Sequence, residues 1–227
     1  MLELYIGNKN YSSWSMRVWV LMRQFEIEFV EKYVRFDSFD SNSAFKRIMA
    51  AVTPAGKVPV LVEDELVIWD SLAIAEYLAE KFPDRHLWPE QVGLRARARS
   101  LSAQMHSGFA ELRSACPMNI EADLRHIGAL IWRDKPAVRQ DIEQLEAVWA
   151  LALDVSEGPY LFGDFSIADA FYAPLCMRVL NYGLPMSARS MQYIEQICQT
   201  QAVNQWMTHA AAEQDFRAFE EPYRLQR

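Results

Sequence analysis

Cysteine is scarce in this chain: Cys116, Cys176 and Cys198 are the only three in 227 residues, they lie far apart, and none belongs to a C-x-x-C pair. A sparse, odd set argues against a disulfide scaffold and reads as reduced packing residues of a cytoplasmic protein. Histidine is nearly as rare. His86, His106, His126 and His209 share no metal-ligand spacing with one another or with the cysteines, so no metal site is expected. No apolar run approaches the ~18 residues that a membrane span needs. The opening Met1-Leu2-Glu3-Leu4 lacks the basic and then apolar regions of a secretory signal. Basic charge is also short, with 23 Lys and Arg against 30 Asp and Glu and a net charge of −7. The deficit is even: positions 1–82 carry 9 basic and 12 acidic residues, the remainder 14 and 18. Neither part is a basic arm, which excludes nucleic acid as the main partner. No internal repeat is visible.

Apolar residues make up 51% and charged residues 23%, a balance that excludes disorder and low complexity. The first 82 residues alternate in character. Residues 2–6 read as a strand ending at Gly7-Asn8. From about Ser13 to Gln24, Trp14, Val18, Leu21 and Met22 fall at helical spacing. Residues 27–34 read as a second strand and 43–50 as a short helix. Residues 58–62 and 66–69 are apolar runs separated by Glu63-Asp64-Glu65, a hairpin pattern. Residues 71–82 place Leu72, Ala75, Leu78 or Ala79, and Phe82 on one helical face. The order βαβαββα predicts an α/β layer with a mixed sheet. Pro83-Asp84-Arg85 and Trp88-Pro89 then break the chain, and strand patterns nearly vanish. Residues 93–115 read as one long helix, and Val138, Ile142, Leu145, Trp149 and Ala152 form a 3.6-residue stripe. Further helices are expected over 167–181 and beyond Ser187. The expected organisation is an α/β domain at 1–82, a linker at 83–92 and an all-helical domain at 93–227.

Side chains suited to chemistry collect at three junctions. Asn10-Tyr11-Ser12-Ser13-Trp14-Ser15 lies where the first strand gives way to the first helix. One serine there serves as an N-cap. Two or three hydroxyls at a positive helix end also suit an anion. In Thr53-Pro54-Ala55-Gly56-Lys57-Val58-Pro59-Val60-Leu61, a proline heads an apolar strand and removes a ladder donor. A trans proline would only start the strand. A cis Val58–Pro59 bond would turn the chain and leave the Val58 backbone to an extended peptide ligand. Trp69-Asp70-Ser71 again joins strand to helix, where Asp70 or Ser71 caps the helix or the pair receives an amino acid.

Taken together, these junctions and the two-part organisation resemble the glutathione S-transferase superfamily over essentially the whole chain. The resemblance implies a thioredoxin-like N-terminal domain, an all-helical C-terminal domain and a cis bond at Pro59. It also implies glutathione as co-substrate, bound by Lys57, Val58, Pro59, Asp70 and Ser71, and a homodimer. Ser166-Ile167-Ala168-Asp169 resembles the family's capping box, a structural device. Ser12-Ser13-Trp14-Ser15-Met16-Arg17-Val18 is similar to the serine-cysteine motif of the zeta class, whose members include maleylacetoacetate isomerase. Ser12 matches the catalytic serine of that class, Ser13 the serine after it, and Trp14 stands where the class has its cysteine. That departure favours a serine-type bacterial transferase over the isomerase. The missing redox cysteine pair disfavours disulfide exchange.

The implied chemistry is thiol activation. A cysteine thiol has a pKa of about 8.5, and lowering it by ~2 units needs ~2.7 kcal/mol of preferential anion stabilisation. One hydroxyl-to-thiolate hydrogen bond provides ~1.5–3 kcal/mol and a helix N-terminus roughly 0.3–1 kcal/mol. The sum suffices without a histidine base. Ser12 or Ser13 is the expected donor, because a one-residue change in helix start exchanges their roles. A pocket for the second substrate is expected between the domains, lined by Trp14 and by Met105, His106, Phe109 and Arg113 of the first long C-terminal helix; helix packing is the plainer reading of those four. Arg95 and Arg99 share a face expected to be solvated or dimer-facing. The reading is a detoxifying transferase acting on a small hydrophobic electrophile. A glutathione-dependent isomerase or dehalogenase is the alternative on the same scaffold, and a non-catalytic interaction module the alternative of another class.

Overall fold

The computed structural model describes residues 1–224. Strands β1 (Leu2–Ile6), β2 (Val30–Tyr33), β3 (Val60–Glu63) and β4 (Leu66–Trp69) form one sheet in the order β2-β1-β3-β4. β1 runs parallel to β2 and antiparallel to β3, and β3 is antiparallel to β4. The register decides where the polar junctions go. Tyr5 faces Val60, and Val60 faces Trp69. The C-terminal ends of β1 and β4 therefore lie beside the N-terminal end of β3. Residues 7–12, 53–59 and 70–71 all leave the sheet at this one end. Helices α1 (Ser13–Gln24), α2 (Ala44–Val52) and α3 (Ser71–Lys81) complete a thioredoxin-like domain of order βαβαββα.

The rest of the described chain is helical: α4 (Val92–Ser107), α5 (Ala110–Ala115), α6 (Arg125–Asp134), α7 (Pro136–Leu153), α8 (Ile167–Tyr182), α9 (Ala188–Gln199) and α10 (Gln201–Glu213). α1 is buried from Ser15 to Met22 because β1, α3, α8 and α10 all pack on it. α8 is buried over nearly its whole length, Pro174 included. One apolar core therefore runs through both domains and contains Trp19, Trp149 and Trp206. A smaller cluster of Tyr11, Val34, Phe36, Phe45, Met49 and Val60 lies at the polar end of the sheet. The capping box at α8 is formed: Ser166 N–H donates to Asp169 Oδ2 at 2.9 Å and Ala168 N–H to Ser166 Oγ at 3.3 Å. Asp169 also accepts from Leu161 N–H at 3.1 Å and from the Tyr193 hydroxyl at 3.0 Å.

Three local expectations need correction. The second strand is shorter than residues 27–34, because Ile27 N–H donates to Met22 O at 2.8 Å and Glu26 adopts a left-handed φ of 52°. Those two residues close the C-terminus of α1 instead of joining the sheet. The segment 93–115 is two helices. Gly108 ends α4 with its N–H on Gln104 O at 2.7 Å, and Phe109 turns the chain with a φ of 54°. A Cβ on Gly108 would stand 2.7 Å from Gln104 O, so the turn requires glycine there. The third strand begins at Val60 and not at Val58, after a Val58–Pro59 bond that is cis, as the resemblance implies.

Candidate active site

The helix start distinguishes the two serines. Ser12 is the N-cap of α1 and is buried; its hydroxyl donates to Ser15 Oγ at 2.7 Å and accepts from Ser15 N–H at 3.4 Å. Ser15 Oγ accepts in turn from Gly7 N–H at 3.2 Å. The Ser12 proton is thus engaged in fixing the loop. Ser13 opens the helix and is partly exposed, and its Oγ accepts from an Arg178 guanidinium N–H at 3.3 Å. A hydroxyl that accepts in this way keeps its own O–H to donate.

Arg178 projects from α8 and also donates to Cys116 O at 2.9 Å and Pro174 O at 3.3 Å. Burial, and after it the neighbouring charge of Arg113, lowers its pKa to about 10, so it stays charged at neutral pH. Arg17 stacks on Trp14 with its guanidinium carbon 4.3 Å from the ring centroid, and on Phe171 at 4.9 Å. Burial, with Arg113 and Arg178 adding to it, lowers Arg17 to about 9. Its Nε and Nη1 are buried without a partner among the described residues. Arg113 covers Trp14 at 4.8 Å and donates to His106 O and Gly108 O at 3.3 and 3.1 Å. Three guanidinium groups near a helix N-terminus make a positive site in an acidic protein, and such a site favours the ionised form of an acid.

Two cavities adjoin at this point. One of 470 Å³ is lined by Tyr11, Ser12, Ser13, Phe36, Phe39 and Arg178 among others. The second, of 320 Å³, is lined by Ala55, Pro59, Trp69, Asp70 and Ser71. Trp14, Lys57 and Val58 line both. Asp70 caps α3 with its Oδ1 accepting from Leu72 N–H at 2.8 Å, and its Oδ2 lies 3.2 Å from His106 Nε2. Burial lowers the pKa of His106 against the opposing pull of Asp70, with Arg17 and Arg113 lowering it further. Ser71 Oγ is buried without a partner among the described residues. A larger cavity of 730 Å³ lies elsewhere, between the start of α4 and the 155–164 loop, and includes none of the junction residues.

The C-terminal segment reaches the serine cavity from the other side. Tyr11 donates its hydroxyl proton to Glu221 Oε1 at 2.5 Å and accepts from Arg217 N–H at 3.2 Å. Arg35 grips Asp215 through Nε and Nη2 at 2.8 and 2.7 Å, and the Tyr223 hydroxyl donates to Ala115 O at 2.9 Å. Glu220 lines the cavity together with Ser12, Ser13 and Arg178.

The structure brings Ser12, Ser13, Trp14, Lys57, Val58, Pro59, Asp70, Ser71 and Arg113 to these two cavities. Met105, on the buried face of α4, and Phe109, turned at the break after Gly108 to pack against Tyr172, are placed in the core and line neither cavity. His106 lies on Asp70 and lines neither of the two cavities. Sequence reasoning missed Arg17, Arg178, Glu220 and the Phe36, Phe39 and Phe45 wall. For the arginines a signal existed: each interrupts an otherwise apolar helix, in Ser15-Met16-Arg17-Val18-Trp19 and in Leu175-Cys176-Met177-Arg178-Val179. Glu220 had none. Among the described residues no three His, Cys, Asp or Glu side chains gather as a metal site, and no helix is long and apolar enough to cross a membrane.

Residues 11–81 match the family model of the glutathione S-transferase N-terminal domain. Over 185 residues the chain is 31% identical to a probable maleylacetoacetate isomerase of Caenorhabditis elegans, covering 81% of each protein. Over 189 residues it is 29% identical to glutathione S-transferase 1 of Dianthus caryophyllus, covering 82% of this chain and 81% of that one. A solved structure of a glutathione transferase homolog from Burkholderia gl BGR1, with bound glutathione, is similar with a TM-score of 0.69. Its identity is 25%, and the match covers 93% of this chain and 98% of that one.

Proposed function

The chain belongs to the glutathione S-transferase superfamily, and we propose that it is a serine-type transferase that ionises the glutathione thiol at Ser13 for attack on a small electrophile. The observation that carries this reading is the Ser13 hydroxyl, at the start of α1, accepting from Arg178 at 3.3 Å with its own proton left to donate. Ser13 then gives the thiolate one charge-assisted hydrogen bond, and Arg178, Arg17, Arg113 and the helix N-terminus stabilise the same negative charge. Asp70 offers a carboxylate to the ammonium end of the tripeptide, and the unpartnered Ser71 Oγ a further hydrogen bond. Val58, outside the ladder of β3, offers its backbone to the extended ligand, and Lys57 a cation to a carboxylate. Phe36, Phe39, Phe45, Pro117 and Met118 give the electrophile an apolar wall, with Trp14 dividing it from the tripeptide side.

A second reading has support from two observations. Arg113 and Arg178 stand on the same wall, and paired guanidinium groups suit a carboxylate-bearing substrate. The 31% identical relative is named a probable maleylacetoacetate isomerase. Glutathione-dependent isomerisation of an unsaturated carboxylic acid is therefore the competing activity. A cytoplasmic, detoxifying homodimer completes the proposal, with Leu66 and Trp69 of the edge strand β4 among the exposed apolar side chains available to a partner copy.

The test is calorimetry with glutathione, followed by product analysis with chlorodinitrobenzene and with a cis-unsaturated keto acid. Conjugate formation supports the transferase, and return of the keto acid as its trans isomer supports the isomerase. Absence of glutathione binding at millimolar ligand contradicts both and leaves a non-catalytic interaction module.

A further inference from the structure

Among the described charged residues that line the serine cavity, Lys46, Lys57, Arg113 and Arg178 are cations and Glu220 alone is a carboxylate. Its position is set by its neighbours. Glu221 accepts the Tyr11 hydroxyl at 2.5 Å and Arg224 Nη2 at 2.7 Å. Tyr11 directly precedes Ser12, so this bond sets the short 3-10 turn Ala218–Glu220 beside the two serines. On the far side of the turn, Phe219 packs on Phe39 with ring centroids 5.2 Å apart. The Glu220 carboxylate itself makes no hydrogen bond or ion pair among the described residues, although Arg178 is close enough to bias its charge.

We propose that Glu220 is the proton acceptor for the substrate thiol, an assignment that rests on the glutathione reading given above. The S–H bond breaks, the proton passes to the Glu220 carboxylate, and the electron pair stays on sulfur, where Ser13 and Arg178 hold it. The charge of the cavity is unchanged, because a neutral acid and a thiolate replace a carboxylate and a thiol. In addition to a carbon–carbon double bond, the C–S bond forms and Glu220 returns the proton to the carbanion. In a displacement, the leaving group departs with its electron pair and the proton goes to solvent.

The surroundings suit this role. Burial raises the pKa of Glu220 to about 7, against the opposing charge of Arg178. Transfer is efficient when donor and acceptor are closely matched near the working pH. The groups that share the cavity are Tyr11 from the β1–α1 loop, Lys46 from α2, Lys57 from the segment before β3, Arg113 from α5 and Arg178 from α8. The Tyr11 phenol is pushed above its ordinary range by burial and by Glu221, so it remains protonated. The other four are cationic side chains, which leaves Glu220 as the carboxylate facing the serines.

The experiment uses the full chain with glutathione and chlorodinitrobenzene, reading kcat/KM against pH and glutathione Kd by calorimetry. Glu220→Gln is expected to keep the wild-type Kd, to lose about a hundredfold in kcat/KM, and to shift the acid limb of the profile to the titration of the thiol alone. Glu220→Ser, which leaves space at the turn, is expected to recover rate when formate is added. If the variants bind glutathione and keep the wild-type acid limb, or if formate restores nothing, the assignment of Glu220 is overturned and the transferase reading stands. If the wild-type chain binds no glutathione, both fall together.

Discussion

Adjacent serines at one helix start do different work because of where their protons point. Ser12 donates to Ser15 and caps α1, whereas Ser13 accepts from Arg178 and keeps a proton to give. Ser13→Ala is expected to cost the thiolate ~1.5–3 kcal/mol, a loss of about ten- to a hundredfold in kcat/KM with the melting temperature little changed. Ser12→Ala is expected to do the reverse, removing ~1 kcal/mol of capping and lowering Tm by a few degrees while sparing most of the rate. Parallel kinetics and calorimetric melts on the two variants read both effects, and equal rate losses would contradict the division of labour. His106 gives a pH prediction at the same scale. Burial keeps it neutral into the acid side of its ordinary range, and there its Nε2 faces Asp70. Once protonated, the imidazolium competes with the glutathione ammonium for that carboxylate, so affinity should fall as pH falls. In His106→Asn the fall should be shallower, which calorimetric Kd values across the acid range would register.

Where an element starts or stops was legible when the deciding contact was local. The capping box at α8 spans the four residues Ser166–Asp169, and its Ser-x-x-Asp spacing is visible in the chain. Asp169 gathers donors from Leu161, Ser166 and Tyr193, and Asp169→Ala would leave them all buried and unpaired. The expected cost is ~3 kcal/mol or more, a fall in Tm of roughly 6–12 °C at this chain length, with Asp169→Asn milder. A calorimetric melt checks it. The break at Gly108-Phe109 was less legible, because helical spacing continues across it and only the close approach of Gln104 O reveals why a glycine is needed. Contacts between distant segments left no pattern at all. Arg178 meets Ser13 across 165 positions and Glu221 meets Tyr11 across 210. Periodicity and capping rules act within a few residues, so they placed the junctions and could not place what faces them.

The whole molecule supplies what no junction has alone. The sheet register collects three loops at one end, and α8 brings a buried cation from the helical domain to the start of α1. Because α1 lies in a core shared by both domains, a ligand held in this cleft should stabilise the chain as one unit. At a hundred times Kd, glutathione is expected to add ~2.7 kcal/mol, raising Tm by roughly 5–10 °C. The measurement that tests the central claim most directly is an ultraviolet titration of the thiolate of enzyme-bound glutathione, in the wild type and in Ser13→Ala. The wild type should hold the thiol ~2 units below its free value of about 8.5, and Ser13→Ala should return it most of the way. A bound thiol that titrates as it does in water, or that ionises equally well without the Ser13 hydroxyl, would contradict thiol activation at this helix start.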